Sequence, residues 1–74
     1  MLTGKQFRLI QETLGVESVG DGKRVAIIIP ENALLLVLRG PNSADPSMVH
    51  VEWDGRRLEL FAQDLQARGQ AVVA

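Results

Sequence analysis

The stretch VEWDGRRLEL, residues 51–60, decides how this chain folds. Its Asp54-Gly55 pair is a strong signal for a two-residue β-hairpin turn, because a type I′ turn needs positive φ at both central positions. If these two residues form the turn, Trp53 faces Arg56 and every other cross-strand pair follows. The stretch therefore predicts an antiparallel hairpin with strands at 48–53 and 56–61.

The pairing that this turn imposes sorts the side chains by chemistry. Side chains alternate between the two faces of a strand, so a shift of one residue would mix the two sets. The apolar set is Val49, Val51, Leu58 and Leu60, and the polar set is His50, Glu52, Arg57 and Glu59. This agreement supports the hairpin and places the apolar set in the core.

A second hairpin is predicted by SVGDGKRVAIII, residues 18–29, with Asp21-Gly22 at the turn. The pairs that follow are Ser18 with Val25, Val16 with Ile27, and Leu14 with Ile29. The other face then receives Ala26 and Ile28.

A third turn is predicted at IPENAL, residues 29–34, because Pro30 and Asn32 both favour turns. Its pairs are Ile29 with Leu34, Ile27 with Leu36, and Val25 with Leu38. The result is a meander with strands at roughly 12–17, 24–29, 34–39, 48–53 and 56–61. We expect a shared dry interior built from Val16, Ile27, Leu36, Val51 and Leu58.

The two ends of the chain show patterns that differ from the alternation in the middle. In residues 2–16, Phe7, Ile10 and Leu14 fit a helical stripe that resembles the first helix of a small helix-turn-helix repressor. A Gly-rich turn and a β-branched run follow instead of two more helices, so we favour an extended segment leading into the first strand. Past Phe61, the sequence predicts one short helical turn stopped by Gly69, then a closing strand at Val72 and Val73.

These elements together predict an all-β protein, a single domain over residues 1–74. Five antiparallel strands with a short helical turn before the last strand is the layout of an SH3-like small barrel. Closure of such a barrel would remove the exposed edges that a small sheet otherwise presents.

IPENALLLVL (29–38) and VHVEWDGRRLELFAQDLQARG (49–69) resemble a group of short, uncharacterised bacterial proteins with an SH3-like small β-barrel. The resemblance covers about half of the chain. The matching positions are Ile29, Pro30, Val51, Trp53, Gly55, Arg56, Phe61, Asp64, Leu65, Arg68 and Gly69. Glu31-Asn32 depart from the group, which has a small residue and Gly there. The resemblance implies the barrel and implies no activity.

Composition excludes several classes of function. The net charge is −1 with signs mixed along the chain, whereas nucleic-acid binders usually carry a basic excess or a basic block. The chain has no Cys, so disulfides and cysteine metal sites are excluded. Its apolar runs are far shorter than the roughly 20 residues of a membrane span. The N-terminus lacks the apolar stretch of a signal peptide, so we expect a cytoplasmic protein.

Catalytic and metal chemistry find little support in the sequence. His50, the only His, lies near Glu52 and Asp54, with Glu59 opposite, so this face either ligates a divalent metal or is solvated and ion-paired. With one His and no Cys, we expect no metal site. We also expect no catalytic residue and no cofactor, because nothing indicates a pocket that would orient a nucleophile and a base.

Two surfaces are candidates for binding. Trp and Arg are enriched among residues that dominate interfaces. The first candidate surface is therefore Trp53, Arg56, Arg57 and Phe61, although Trp53 could instead cap the core with Arg56 stacked on it. The second is an apolar face opposite the main core, covered either by the C-terminal segment or by a second copy of the chain. Its residues are Ala26, Ile28, Leu35 and Val37.

The sequence therefore predicts a small, non-catalytic interaction module that binds an unidentified protein partner or itself. The alternative is a nucleic-acid-binding small barrel that uses Trp53, Arg56 and Arg57. That analogy rests on the fold alone.

Overall fold

Antiparallel pairing connects every strand of this protein into one sheet. The computed structural model describes residues 2–72. The strands are β1 (Gln6–Leu9), β2 (Thr13–Ser18), β3 (Arg24–Ile29), β4 (Leu34–Arg39), β5 (Met48–Trp53), β6 (Arg56–Phe61) and β7 (Gly69–Ala71), with helix α1 (Ala62–Arg68) before β7. Their order across the sheet is β3-β2-β6-β5-β4-β1-β7. Within residues 2–72 the edge strands β3 and β7 do not pair with each other, so the sheet is not closed.

The all-β prediction is confirmed, and the five predicted strands coincide with β2 to β6 within one residue. The short helix before the last strand is also present. One strand, β1, is added, and it shows that the N-terminal segment is extended and not helical. A last strand follows the helix as predicted, but it is β7 at Gly69–Ala71 and does not include Val72, while Val73 lies outside the described residues.

The hairpin of β5 and β6 is confirmed in every pair. Asp54 and Gly55 have φ values of 52° and 74°, as the turn requires. Trp53 faces Arg56, and the register continues unbroken to Met48 and Phe61. The four apolar residues of the predicted inner face are at most 2% exposed. Local turn chemistry therefore fixes this part of the sheet.

The second hairpin has the predicted turn but a different register. Asp21 and Gly22 have positive φ, and the Lys23 N–H donates to the Gly20 carbonyl. The Val19 N–H, however, donates to the Lys23 carbonyl at 2.9 Å, which leaves Gly20 as an extra residue with φ 58°. This β-bulge shifts all later pairs by one residue. The observed pairs are Ser18 with Arg24, Val16 with Ala26, and Leu14 with Ile28, so the predicted pairs are wrong.

The third predicted hairpin is also wrong, although its turn exists. The Ala33 N–H donates to the Pro30 carbonyl, and Asn32 has φ 72°. Past this turn the chain crosses to the other half of the sheet, where β4 lies between β5 and β1. β4 pairs with β1 and not with β3, because this pairing buries Phe7 and Leu9 of β1 in the core.

One cluster of buried side chains forms the core, and the sheet curves around it. Its members come from β1, β3, β4, β5, β6, the turn after β3 and the helix α1. They are Phe7, Leu9, Ile29, Ala33, Leu35, Val37, Val49, Val51, Leu58, Leu60, Ala62 and Leu65. We call the face of the sheet that carries them the inner face and the opposite one the outer face.

The predicted interior is correct for only part of its set. Val51 and Leu58 are fully buried, and Ile27 packs against the cluster. Val16 and Leu36 lie on the outer face instead, because the bulge at Gly20 and the crossing of β4 change their neighbours. Within residues 2–72, no helix is long and apolar enough to cross a membrane.

Candidate functional site

The first predicted binding surface does not assemble into one patch. Strand alternation places Trp53 and Arg56 on the inner face beside Leu58. Arg57 and Phe61 lie on the outer face. The four side chains therefore belong to two opposite surfaces of the sheet.

Trp53 and Arg56 close the rim of the core. Trp53 is partly buried against the hydrophobic cluster. The guanidinium carbon of Arg56 lies 6.0 Å from the centre of the Trp53 ring. The Arg56 Nε donates to the Glu17 Oε2 at 3.0 Å, and the Arg56 Nη2 donates to the other Glu17 oxygen. The core-capping interpretation of Trp53 thus has direct support.

The Glu17–Arg56 contact also changes the proton affinity of both groups. The hydrogen bond from Arg56 is the main cause that lowers the pKa of Glu17. Desolvation opposes it, and the Arg56 charge lowers the pKa further. The same hydrogen bond raises the pKa of Arg56. Arg56 is therefore occupied within its own chain.

The second predicted surface is also divided. Ala26 and Ile28 are exposed on the outer face of β3. Leu35 and Val37 are fully buried in the core on β4. The two pairs do not share a face, because β4 pairs with β1 and β5 and turns these two residues inward. Only the β3 half of this surface is accessible to a partner.

An apolar patch that the sequence did not reveal lies on the outer face of β2, β3, β5 and β6. Leu14 is 50% exposed and stands opposite Ile28, which is 65% exposed. Phe61, 54% exposed, lies on the neighbouring strand β6. A groove of about 500 Å³ runs between Leu14, Met48 and Phe61. We call these four residues the outer apolar patch.

The free edge of β3 is the second feature of this region. In an antiparallel ladder, the main-chain groups of successive residues point alternately toward and away from the neighbour. The Val19 N–H bonds to Lys23, so the groups of Val25 and Ile27 also face β2. The N–H and C=O groups of Arg24, Ala26 and Ile28 therefore point to the open side, where residues 2–72 provide no strand.

A second groove, of about 610 Å³, crosses the outer face of β2, β6, β5 and β4. Its lining includes three basic residues, Arg39, His50 and Arg57, and the apolar residues Val16 and Leu38. The ion pairs within residues 2–72 are Arg24–Glu59 at 3.1 Å and Arg56–Glu17. Arg39 and Arg57 take part in neither. The described part of the chain contains no group of three His, Asp or Glu residues that could hold a metal ion.

No family model, curated protein or solved structure matches this chain.

Proposed function

We propose that this protein is a small, non-catalytic interaction module that associates with a second copy of itself through the free edge of β3. The observation that carries this proposal is the row of main-chain groups at Arg24, Ala26 and Ile28, which no strand within residues 2–72 pairs. It lies beside Val25, which is 43% exposed, and the still more exposed Ile28. An exposed apolar edge strand is a template for the addition of another strand.

The edge of β3 is complementary to itself. A two-fold axis through Ala26, perpendicular to the sheet, pairs Ala26 with Ala26 of the second copy and Arg24 with Ile28 of the second copy. Each of these pairs exchanges two main-chain hydrogen bonds. The ladder ends at Pro30, which has no N–H to donate.

Charge does not oppose this pairing. Residues 25–29 carry no charged side chain. Arg24 is neutralised within its own chain by Glu59 at 3.1 Å. In this register the two Arg24 side chains lie at opposite ends of the ladder, so the two copies bring no like charges together there.

The barrel fold, the bacterial origin and the cytoplasmic location also belong to the proposal. We infer an SH3-like small barrel that is open between β3 and β7. Support comes from the short helix before the last strand and from the hairpin centred on Asp54-Gly55. We also infer a bacterial, cytoplasmic protein, and the resemblance of the Trp53 region to short bacterial proteins supports the bacterial origin.

The nucleic-acid alternative has less support. It needs Arg56 and Trp53 to be available, but Arg56 is bound to Glu17 and Trp53 packs against the core. Of the three residues that it invokes, only Arg57 is free to contact a ligand within the described structure. Self-association uses groups that are exposed.

A cysteine placed at the two-fold axis tests the register directly. The chain has no Cys, so Ala26→Cys introduces a single thiol. Paired residues of adjacent strands have Cα atoms about 5.5 Å apart, within the range of a disulfide. We expect Ala26→Cys to cross-link under mild oxidation, while Ala44→Cys, in an exposed loop, does not. Equal cross-linking of both variants would overturn this register.

Sedimentation equilibrium tests the association itself. We expect the wild type to be a dimer in the micromolar range. Ile28→Lys places a charge opposite Arg24 of the second copy and should weaken the dimer at least about tenfold. Leu34→Lys replaces another exposed apolar side chain, 44% exposed, on β4, which three strands separate from β3 in the sheet, and it should leave the dimer intact. A wild-type monomer at high micromolar concentration would sink the proposal.

A further inference from the structure

We propose that the outer face carries a binding groove for an extended acidic peptide that also bears aliphatic side chains. The site is separate from the edge of β3 and goes beyond self-association. Its acidic side chains would bind Arg39 and Arg57, and its aliphatic side chains would pack on the outer apolar patch.

The two grooves of the outer face are adjacent and together form the depression that makes up the proposed site. The groove of about 610 Å³ and the groove of about 500 Å³ share Val16 and Glu59. One end is basic, with Arg39, His50 and Arg57. The other end is apolar, with Leu14, Met48 and Phe61. A ligand that spans both ends must therefore combine negative charge with apolar groups.

The charges along this depression favour an anionic ligand at one end. Glu59, in the middle, is neutralised by Arg24 at 3.1 Å. Arg39 and Arg57 take part in neither of the ion pairs found in residues 2–72. Asp45 lies at the apolar end, where it accepts a hydrogen bond from Ser47 at 3.1 Å. The basic end therefore holds two guanidinium groups, which bind carboxylates through paired hydrogen bonds.

A β-bulge builds the basic end. Val37 pairs with Val51, but Arg39 pairs with His50, so Leu38 is an extra residue in β4. Consecutive residues of a regular strand would point to opposite faces. The bulge instead lets both Leu38 and Arg39 line the groove.

Gly40 follows this bulge directly and lies against the main chain of β5. It has φ 84°, and a Cβ atom there would lie 2.9 Å from the Met48 carbonyl oxygen. The main chain of β5 therefore approaches closer than a side chain would permit. The position of Arg39 is set by packed backbone and not by a free loop.

A peptide fits this groove better than a nucleic acid does. Single-stranded nucleic acids are held by aromatic side chains on which bases stack, next to the basic residues. Phe61 is the aromatic residue of the groove. It lies four residues from Arg57 along β6, about 13 Å away. Aliphatic side chains, in contrast, match the lining by Leu14, Val16 and Leu38.

Fluorescence anisotropy with defined peptides tests the site on the full chain. The probe is a labelled ten-residue extended peptide with Glu at every second position of one half, Leu at every second position of the other half and Ser between them. The matched control peptide has Gln in place of every Glu. We expect the Glu peptide to bind and the Gln peptide to bind at least about tenfold more weakly. Binding of neither peptide at high micromolar protein, or equal binding of both, overturns the proposal.

Variants of the protein place the binding in the groove. Arg39→Gln and Arg57→Gln should each weaken the Glu peptide about tenfold. Arg8→Gln replaces an exposed Arg on β1, outside the groove, and should leave the affinity for the Glu peptide unchanged. Equal losses of affinity in all three variants would contradict the site. Tighter binding of labelled oligothymidylate that is lost in the same two variants would assign the groove to nucleic acid instead. Val25→Lys, which places a charge on the inner face of the same edge strand, should weaken the dimer but still bind the Glu peptide, which separates this site from the dimer interface.

Discussion

Arg56 on β6 donates two hydrogen bonds to Glu17 on β2, across a separation of 39 residues in the sequence. The two strands are neighbours in the sheet, with Glu17 directly opposite Leu58. The contact joins the hairpin of β2 and β3 to the hairpin of β5 and β6. It exists because the bulge at Gly20 turns Glu17 to the inner face, where Arg56 also lies.

The Glu17–Arg56 contact should make the stability of the fold depend on pH. The hydrogen bond from Arg56 lowers the pKa of Glu17 below its ordinary value of 4.5. A lowered folded-state pKa means that the contact stabilises the fold above pH 4.5 and is lost as the pH falls through the lower, folded-state value. We expect Glu17→Gln to be less stable than the wild type near pH 7, with the difference shrinking in acid.

Urea unfolding at a series of pH values measures this effect. Glu31→Gln is the matched control, because Glu31 is exposed in a turn and forms no ion pair within residues 2–72. It should leave the pH profile of the free energy of unfolding as it is in the wild type. If Glu17→Gln has the wild-type profile as well, the contact does not stabilise the fold in solution.

The sequence predicts local structure well because local turn chemistry is specific. Asp54-Gly55 fixes both the turn and the register of its hairpin, and the alternation of apolar and polar residues confirms the register. At Asp21-Gly22 the turn is equally clear, but the register is not. The run Val25 to Ile29 is apolar on both faces, so alternation cannot reveal the extra residue at Gly20.

Non-local pairing explains the other errors. Leu34 to Leu38 is a continuous apolar run, so either face could be the buried one, and the prediction that Leu35 and Val37 lie opposite the core is wrong. The partner of this strand, β1, lies almost thirty residues earlier in the chain, and the sequence does not mark the pairing. The candidate groove was missed for the same reason, since Arg39 enters it through a bulge.

Thr13 provides a test of core energetics. It is 2% exposed, and its hydroxyl is a buried polar atom without a hydrogen-bond partner among the described residues. A buried hydroxyl without a partner costs about 1–3 kcal/mol. Thr13→Val keeps the shape and removes the hydroxyl, so we expect the free energy of unfolding to rise by about 1 kcal/mol.

Chemical denaturation of two further variants checks this interpretation. Thr13→Ala also removes the hydroxyl but leaves a cavity, so it should be less stable than Thr13→Val by about 1 kcal/mol. Thr3→Val, at an exposed position, should be nearly neutral. A loss of stability in Thr13→Val comparable to that in Thr13→Ala would mean that the hydroxyl has a partner in solution.

A comparison of Gly40 with Gly4 tests how closely the main chain of β5 approaches the bulge in β4. Both have positive φ, 84° and 83°, but a Cβ on Gly4 would meet nothing within 4 Å. Gly4→Ala therefore measures the backbone strain alone, about 1–2 kcal/mol. Gly40→Ala adds a contact of 2.9 Å with the Met48 carbonyl oxygen, so this variant should be less stable than Gly4→Ala by about 1–3 kcal/mol. Thermal unfolding of both variants gives the comparison, and equal losses would show that the strand exit is not tightly packed.

Trp53 and Phe61, both predicted from the sequence as binding residues, should respond differently to truncation. Trp53 packs against the core and under Arg56, so Trp53→Ala should lower the free energy of unfolding by about 2 kcal/mol. Phe61 is 54% exposed on the outer face, so Phe61→Ala should stay within about 0.5 kcal/mol of the wild type. Phe61→Ala should nevertheless weaken the Glu-Leu peptide, because it removes the largest apolar side chain of the groove. Denaturant unfolding combined with peptide anisotropy separates the two roles, and a Trp53→Ala variant of wild-type stability would refute its role at the rim of the core.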